Sequence, residues 1–107
     1  MELTITPEAA SSLKQLNRNG ENYLKLWYDT DGCGCAVNGL PSIRFTNEKS
    51  SRSMDVESNG YPVIIDQDQA VFFEENMKLD VRNGSFRLSS PEGVLNPFIS
   101  QQQLFEQ

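Results

Sequence analysis

The stretch Met77 to Leu88 restricts the fold more than any other part of the chain. Met77, Leu79 and Val81 alternate with Lys78, Asp80 and Arg82, then Asn83-Gly84 intervenes, and Phe86 and Leu88 alternate with Ser85 and Arg87. Alternation with period two places each apolar set on one face of a strand. Asn-Gly between two such runs supplies the residues that a tight hairpin turn demands. The chain is therefore read as β-rich from this hairpin outward.

Other segments agree with that reading. Leu3 and Ile5 alternate with Glu2 and Thr4, a short strand. Thr6-Pro7 reads as helix cap and first helical residue, with Glu8 favourable in the first turn. Ala9, Leu13 and Leu16 then share a helical face and Asn19-Gly20 forms a stop, which predicts a helix near 7–18 with its stripe in the core. Tyr23 to Asp29 predicts a strand with Leu24, Leu26 and Tyr28 on one face and Tyr23, Lys25 and Trp27 on the other. The lone Trp27 is read as covering a core edge. Ile43 and Phe45 mark a further strand, Asn47 to Ser53 an exposed loop, and Met54 and Val56 a weaker strand.

Asn59-Gly60 turns the chain into Tyr61 to Ile65, with Pro62 at the start or edge because it cannot donate to a ladder. Asp66 and Gln69 have the spacing of a capping box, which predicts a short helix near 67–75 buried on its phenylalanine side. Glu74 and Glu75 point apart on such a helix and read as a solvated acidic end. Ser89 to Pro97 is rich in turn residues, and Phe98 to Phe105 reads as a final helical turn or a loose tail. The predicted core is Leu24, Leu26, Ile43, Phe45, Ile64, Phe72, Leu79, Val81, Phe86 and Leu88. The fold class is α+β, mainly β, in a single domain over 1–107 with an N-terminal helix and a second short helix.

Chemistry concentrates at Asp31-Gly32-Cys33-Gly34-Cys35-Ala36-Val37-Asn38-Gly39-Leu40, which holds both cysteines of the chain. Gly32 and Gly34 free the backbone around Cys33 to come close to whatever the thiol touches. Two soft sulfur ligands on such a loop suit a thiolate metal or cluster site. Two cysteines and no histidine do not complete a structural zinc site, which takes four ligands. An incidental turn with two idle thiols remains an alternative, as does a strained, easily reduced Cys33–Cys35 disulfide.

The net charge of −6 and pI near 4.5 argue against binding a phosphate backbone. No apolar run approaches the roughly 20 residues of a membrane span, and the N-terminus lacks the pattern of a signal peptide. The expected compartment is the cytoplasm, where thiols stay reduced.

The order of elements resembles the HesB-like family of A-type iron–sulfur carriers. The resemblance rests on Ile5-Thr6-Pro7-Glu8-Ala9-Ala10, on Gly32-Cys33 with Gly39-Leu40 after it, and on Asp80-Val81 followed by Phe86-Arg87-Leu88-Ser89-Ser90-Pro91. It spans about residues 3–92. It implies a compact fold, mainly β with helices outside, that binds iron or an iron–sulfur cluster through three cysteines. The loop cysteine carries over onto Cys33. The other two belong to a Cys-Gly-Cys after the hairpin, where this chain reads Glu92-Gly93-Val94-Leu95-Asn96-Pro97-Phe98, and Cys35 stands where the family usually has glycine.

The resemblance and the ligand count lead to one expectation. Cys33 and Cys35 bind iron or a [2Fe–2S] cluster, with Gly32 and Gly34 giving clearance, and two chains together supply four thiolates. Assembly or recipient proteins are the expected partners, with a homodimer in the loaded state. The alternative is a binding or regulatory module of the same fold without a cluster. An enzyme is not expected, since no histidine serves as a base and no nucleophile motif or phosphate loop is present.

Overall fold

The computed structural model describes residues 1–17, 20–29 and 39–105. In chain order the elements are β1 (Glu2–Ile5), α1 (Pro7–Leu16), β2 (Tyr23–Asp29), β3 (Leu40–Thr46), β4 (Ser53–Ser58) and β5 (Val63–Asp66). A 3-10 helix (Gln67–Phe72), β6 (Asn76–Arg82), β7 (Ser85–Ser90), β8 (Gly93–Ile99) and a C-terminal 3-10 helix (Gln101–Phe105) follow. The fold is mainly β with one α-helix near the N-terminus, as the sequence predicts.

The strands form one sheet in the order β3-β2-β5-β4-β1-β6-β7-β8. β1 lies parallel to both β4 and β6, and β2 lies parallel to β5. The remaining pairs are antiparallel. The sheet curls until its two edge strands nearly meet, where Asn96 Nδ2 of β8 donates to the Pro41 carbonyl of β3 at 2.8 Å. Edge strands expose unpaired backbone, and near-closure removes most of that liability. Inside lie Leu3, Ile5, Leu24, Leu26, Ile43, Leu79, Phe86, Leu88 and Ile99, with Ala9 and Leu13 of α1 and Leu104 packed among them.

The β6–β7 hairpin forms in the predicted register, Leu79 opposite Leu88 and Val81 opposite Phe86. Asn83 and Gly84 take φ of 52° and 82°, the paired left-handed conformation of a tight hairpin. Thr6 caps α1, its Oγ1 accepting from the Ala9 amide at 3.2 Å and donating to Asp80 Oδ1 of β6 at 3.2 Å. That threonine therefore starts the helix and ties it to the sheet.

Several expectations are corrected. α1 ends at Leu16 rather than 18, because the Asn17 side chain accepts from the Glu21 amide and donates to the Glu21 carbonyl, each at 2.9 Å. The helix near 67–75 is a 3-10 helix ending at Phe72. Its proposed cap does not form: the Asp66 carboxylate pairs with Lys25 Nζ at 3.1 Å, and Gln69 Oε1 accepts from the Tyr28 amide at 3.1 Å. The tighter winding sends Phe73 into the core and leaves Phe72 44% exposed. Val81 is only half-buried. Most of Ser89 to Pro97 is not a run of turns: after a tight turn with Gly93 at φ 151°, β8 pairs with β7 through a bulge.

Candidate functional site

The cysteine stretch joins β2 to β3. Cys33, Cys35, Gly32 and Gly34 lie outside the described residues, so the site is built from the strands that carry the loop. Its two roots are paired in register, Tyr28 opposite Pro41 and Asp29 opposite Leu40. Tyr28 holds them three times over. Its amide donates to Gln69 Oε1 at 3.1 Å, its hydroxyl accepts from the Gly39 amide at 3.0 Å, and its ring stacks on Phe72 with centroids 3.8 Å apart and planes 9° from parallel. The exposed phenylalanine of the 3-10 helix thus braces the residue that fastens the loop.

One residue further from the loop, Trp27 and Ser42 face each other across β2 and β3. They lie on the face opposite Leu26 and Ile43, yet Ser42 is only 2% exposed. The Arg44 guanidinium sits 4.7 Å from the centre of the Trp27 ring, a cation–π contact. The Asn96 bond to Pro41 reaches the same strand end from across the closure.

After β7, where the resemblance implies two further cysteines, the chain runs as β8 and the C-terminal 3-10 helix. Leu104 is fully buried there and the Phe105 ring lies 5.5 Å from that of Phe45. This segment closes the core with apolar side chains. Among the described residues no group of three or more Cys, Asp or Glu is placed to hold a metal ion. Nor is any described helix long and apolar enough to cross a membrane.

Among the described residues, three ionisations are perturbed, at Asp80, Tyr61 and Lys49. The Val81 amide, donating to Asp80 at 2.8 Å, holds that carboxyl below its ordinary value, and the Thr6 hydroxyl acts in the same direction. Burial pushes the Tyr61 phenol up, partly offset by its hydrogen bond from Asn17. The Asp55 carboxylate raises the Lys49 ammonium.

Comparison with known proteins decides the assignment. The family model described as iron–sulphur cluster biosynthesis matches residues 1–101. The chain belongs to that family. It is 35% identical over 103 residues to YqkB of Bacillus subtilis (strain 168), covering 94% of this chain and 96% of that protein. Solved structures of like fold include a protein from Lactobacillus acidophilus assigned to Fe–S biosynthesis, at TM-score 0.74 and 20% identity over 94% of this chain and 87% of that one. Escherichia coli SufA, involved in biosynthesis of iron–sulfur clusters, aligns at TM-score 0.64 and 21% identity over 86% and 82%. IscA with the [2Fe–2S] cluster aligns at 0.61 and 17% over 91% and 98%. At these identities the structural likenesses show the fold.

Among the site's neighbours, sequence reading identified Trp27 only as a core cover and missed Tyr28, Gln69, Ser42 and Asn96. Tyr28 carried a signal, since an aromatic residue stood next to the end of a strand that leads into the glycine-cysteine stretch. Gln69 and Asn96 carried none, because their partners are 41 and 55 residues away.

Proposed function

We propose that this protein carries iron or a [2Fe–2S] cluster during cluster assembly, holding it through Cys33 and Cys35 of the loop between β2 and β3. Gly32 and Gly34 leave room for the cargo to approach the backbone. The supporting observation is the match to the iron–sulphur cluster biosynthesis family across residues 1–101, which includes a stretch with both thiols of the chain. A cluster ordinarily takes four thiolates, so two chains share it, each contributing two. The cargo passes between assembly and recipient proteins in the cytoplasm. The protein's role is carriage, and no bond is made or broken in a substrate other than those to the cargo.

The absence of cysteine after β7 favours a second reading, a family member that keeps the fold as a binding or regulatory module without a cluster. Anaerobic reconstitution with iron and sulfide separates the two. Carriage predicts visible absorbance together with a shift from monomer to dimer on gel filtration. Cys33→Ser should abolish both, and Cys35→Ser should abolish or strongly weaken them, because serine is a poor replacement for a soft ligand. A colourless wild type, or a double serine variant that still takes up a cluster, rejects carriage and leaves the second reading.

A further inference from the structure

The outer face of β6, β7 and β8 carries a feature that cluster carriage does not use. Leu79, Phe86 and Leu88 turn inward and are fully buried, so Asp80 and Arg82 of β6 and Ser85 and Arg87 of β7 point the other way. Phe86 lies opposite Ile99, which brings Phe98 of β8 alongside on that outer face. A recess of about 310 Å³ opens there, lined by Arg82, Asn83, Ser85, Arg87, Pro97 and Phe98.

The lining holds two guanidinium groups and no carboxylate, in a chain whose net charge is −6. Asp80 is the acidic neighbour, and it leaves both arginines available. Its Oδ1 already accepts from the Thr6 hydroxyl and the Val81 amide. Its Oδ2 stands 3.8 Å from Arg82 Nε, on a side chain that is 70% exposed, and so long and solvated a pair holds an arginine weakly. Arg87 faces Asp80 in register but forms no ion pair among the described residues.

Apolar surface flanks these cations. Phe98 is 77% exposed and Val94, four residues earlier on β8, is 46% exposed. Exposed apolar side chains rimmed by polar ones mark contact sites, and arginine beside an aromatic ring is the composition of interface anchors. A guanidinium receives a carboxylate through two parallel hydrogen bonds. A nucleic acid is the poorer occupant, because the field of a −6 chain repels a polyanion and phosphates leave the apolar flank unused.

We propose that this face docks an acidic segment of a partner protein, its carboxylates on Arg82 and Arg87 and an apolar side chain against Pro97 and Phe98. The rest of the negative surface repels such a segment, so the patch also fixes where it lands. The inference goes beyond carriage and stands whether or not a cluster is bound.

The probe is an acetylated, amidated peptide of sequence Glu-Asp-Phe-Asp-Glu, titrated into the 15N-labelled full chain at low salt. Amide shifts should saturate at Arg82 to Arg87 and at Val94 to Phe98. The neutral analogue Gln-Asn-Phe-Asn-Gln should bind at least threefold more weakly. Arg82→Gln, Arg87→Gln and Phe98→Ala should each weaken the acidic peptide at least threefold, while Val71→Ala, at the 81% exposed Val71 of the other 3-10 helix, should not. Raising salt to 0.5 M should weaken binding as well, since the arginines lie at the surface. Absent or scattered shifts, or a neutral peptide that binds within threefold of the acidic one, overturn the proposal. So does a full set of arginine and phenylalanine variants that each bind within threefold of wild type. If 3-phenylpropionate or inorganic phosphate moves the same amides with the peptide's affinity, the occupant is a small anion and the docking of a protein segment is rejected.

Discussion

Replacing Asn59 with alanine should cost far more than its place in a turn suggests. The Asn59 side chain receives the Ile5 amide on Oδ1 at 2.8 Å and donates Nδ2 to the Ile5 carbonyl at 2.9 Å. It thereby acts as one more rung of the parallel pairing of β1 and β4, whose last backbone pair is Leu3 with Ser58. Ile5 is 1% exposed, so water has little access to the two groups left behind. Two hydrogen bonds contribute about 1–3 kcal/mol net, and unsatisfied backbone groups in a buried strand raise the loss to about 3–5 kcal/mol. A domain of this size has about 5–15 kcal/mol in all. With a urea dependence of about 1–3 kcal/mol per molar, the midpoint should fall by at least about 1 M, measured against Ser51→Ala in an exposed loop.

Asn59→Asp sharpens the experiment. It keeps an acceptor for the Ile5 amide but turns a second acceptor toward the Ile5 carbonyl. The folded state then favours the protonated carboxyl, whose pKa rises above the free value of about 3.9. The penalty is present above that raised pKa and relieved below it, because the protonated acid can donate to the Ile5 carbonyl. Relative to wild type, the aspartate variant should recover stability as pH falls from neutral toward 4. An Asn59→Ala midpoint equal to that of Ser51→Ala, or an Asn59→Asp deficit independent of pH, would refute the reasoning.

Phe86→Ala should lose about 3–5 kcal/mol, since Phe86 is fully buried, whereas Phe72→Ala, at 44% exposure, should lose clearly less in the same denaturation series. Tyr28→Phe removes the acceptor of the Gly39 amide and should speed hydrogen exchange there about two- to tenfold without moving amides of β6. The Val81 amide holds the Asp80 carboxyl below its ordinary 3.8, so its contribution is present above that value and lost as pH falls through the depressed one. Acid titration of stability should accordingly be shallower for Asp80→Asn than for wild type.

Local chemistry determined much of this protein. The Asn83-Gly84 hairpin, the Thr6-Pro7 helix start and the alternation in β2 and β3 each follow from neighbours in the chain. All three were legible because period, cap and turn residues act over a few positions. The cysteine stretch was equally visible as the one place with soft ligands. What the sequence could not determine depends on partners far along the chain. Asp66 and Gln69 have the spacing of a cap, but Lys25 and the Tyr28 amide bind them more favourably once β2 lies beside β5. Gly93 to Ile99 looks like a series of turns because Asn96 and Pro97 are poor strand formers. There the tertiary fold prevails: β8 pairs with β7, and the Asn96 amide finds the Pro41 carbonyl of the opposite edge. Only closure of the sheet brings the two edges together, and with them the supports at the base of the thiol loop. A side chain's local propensity amounts to a few tenths of a kcal/mol up to about 1, while a buried polar group left unpaired costs about 1–3, so the tertiary partner decides.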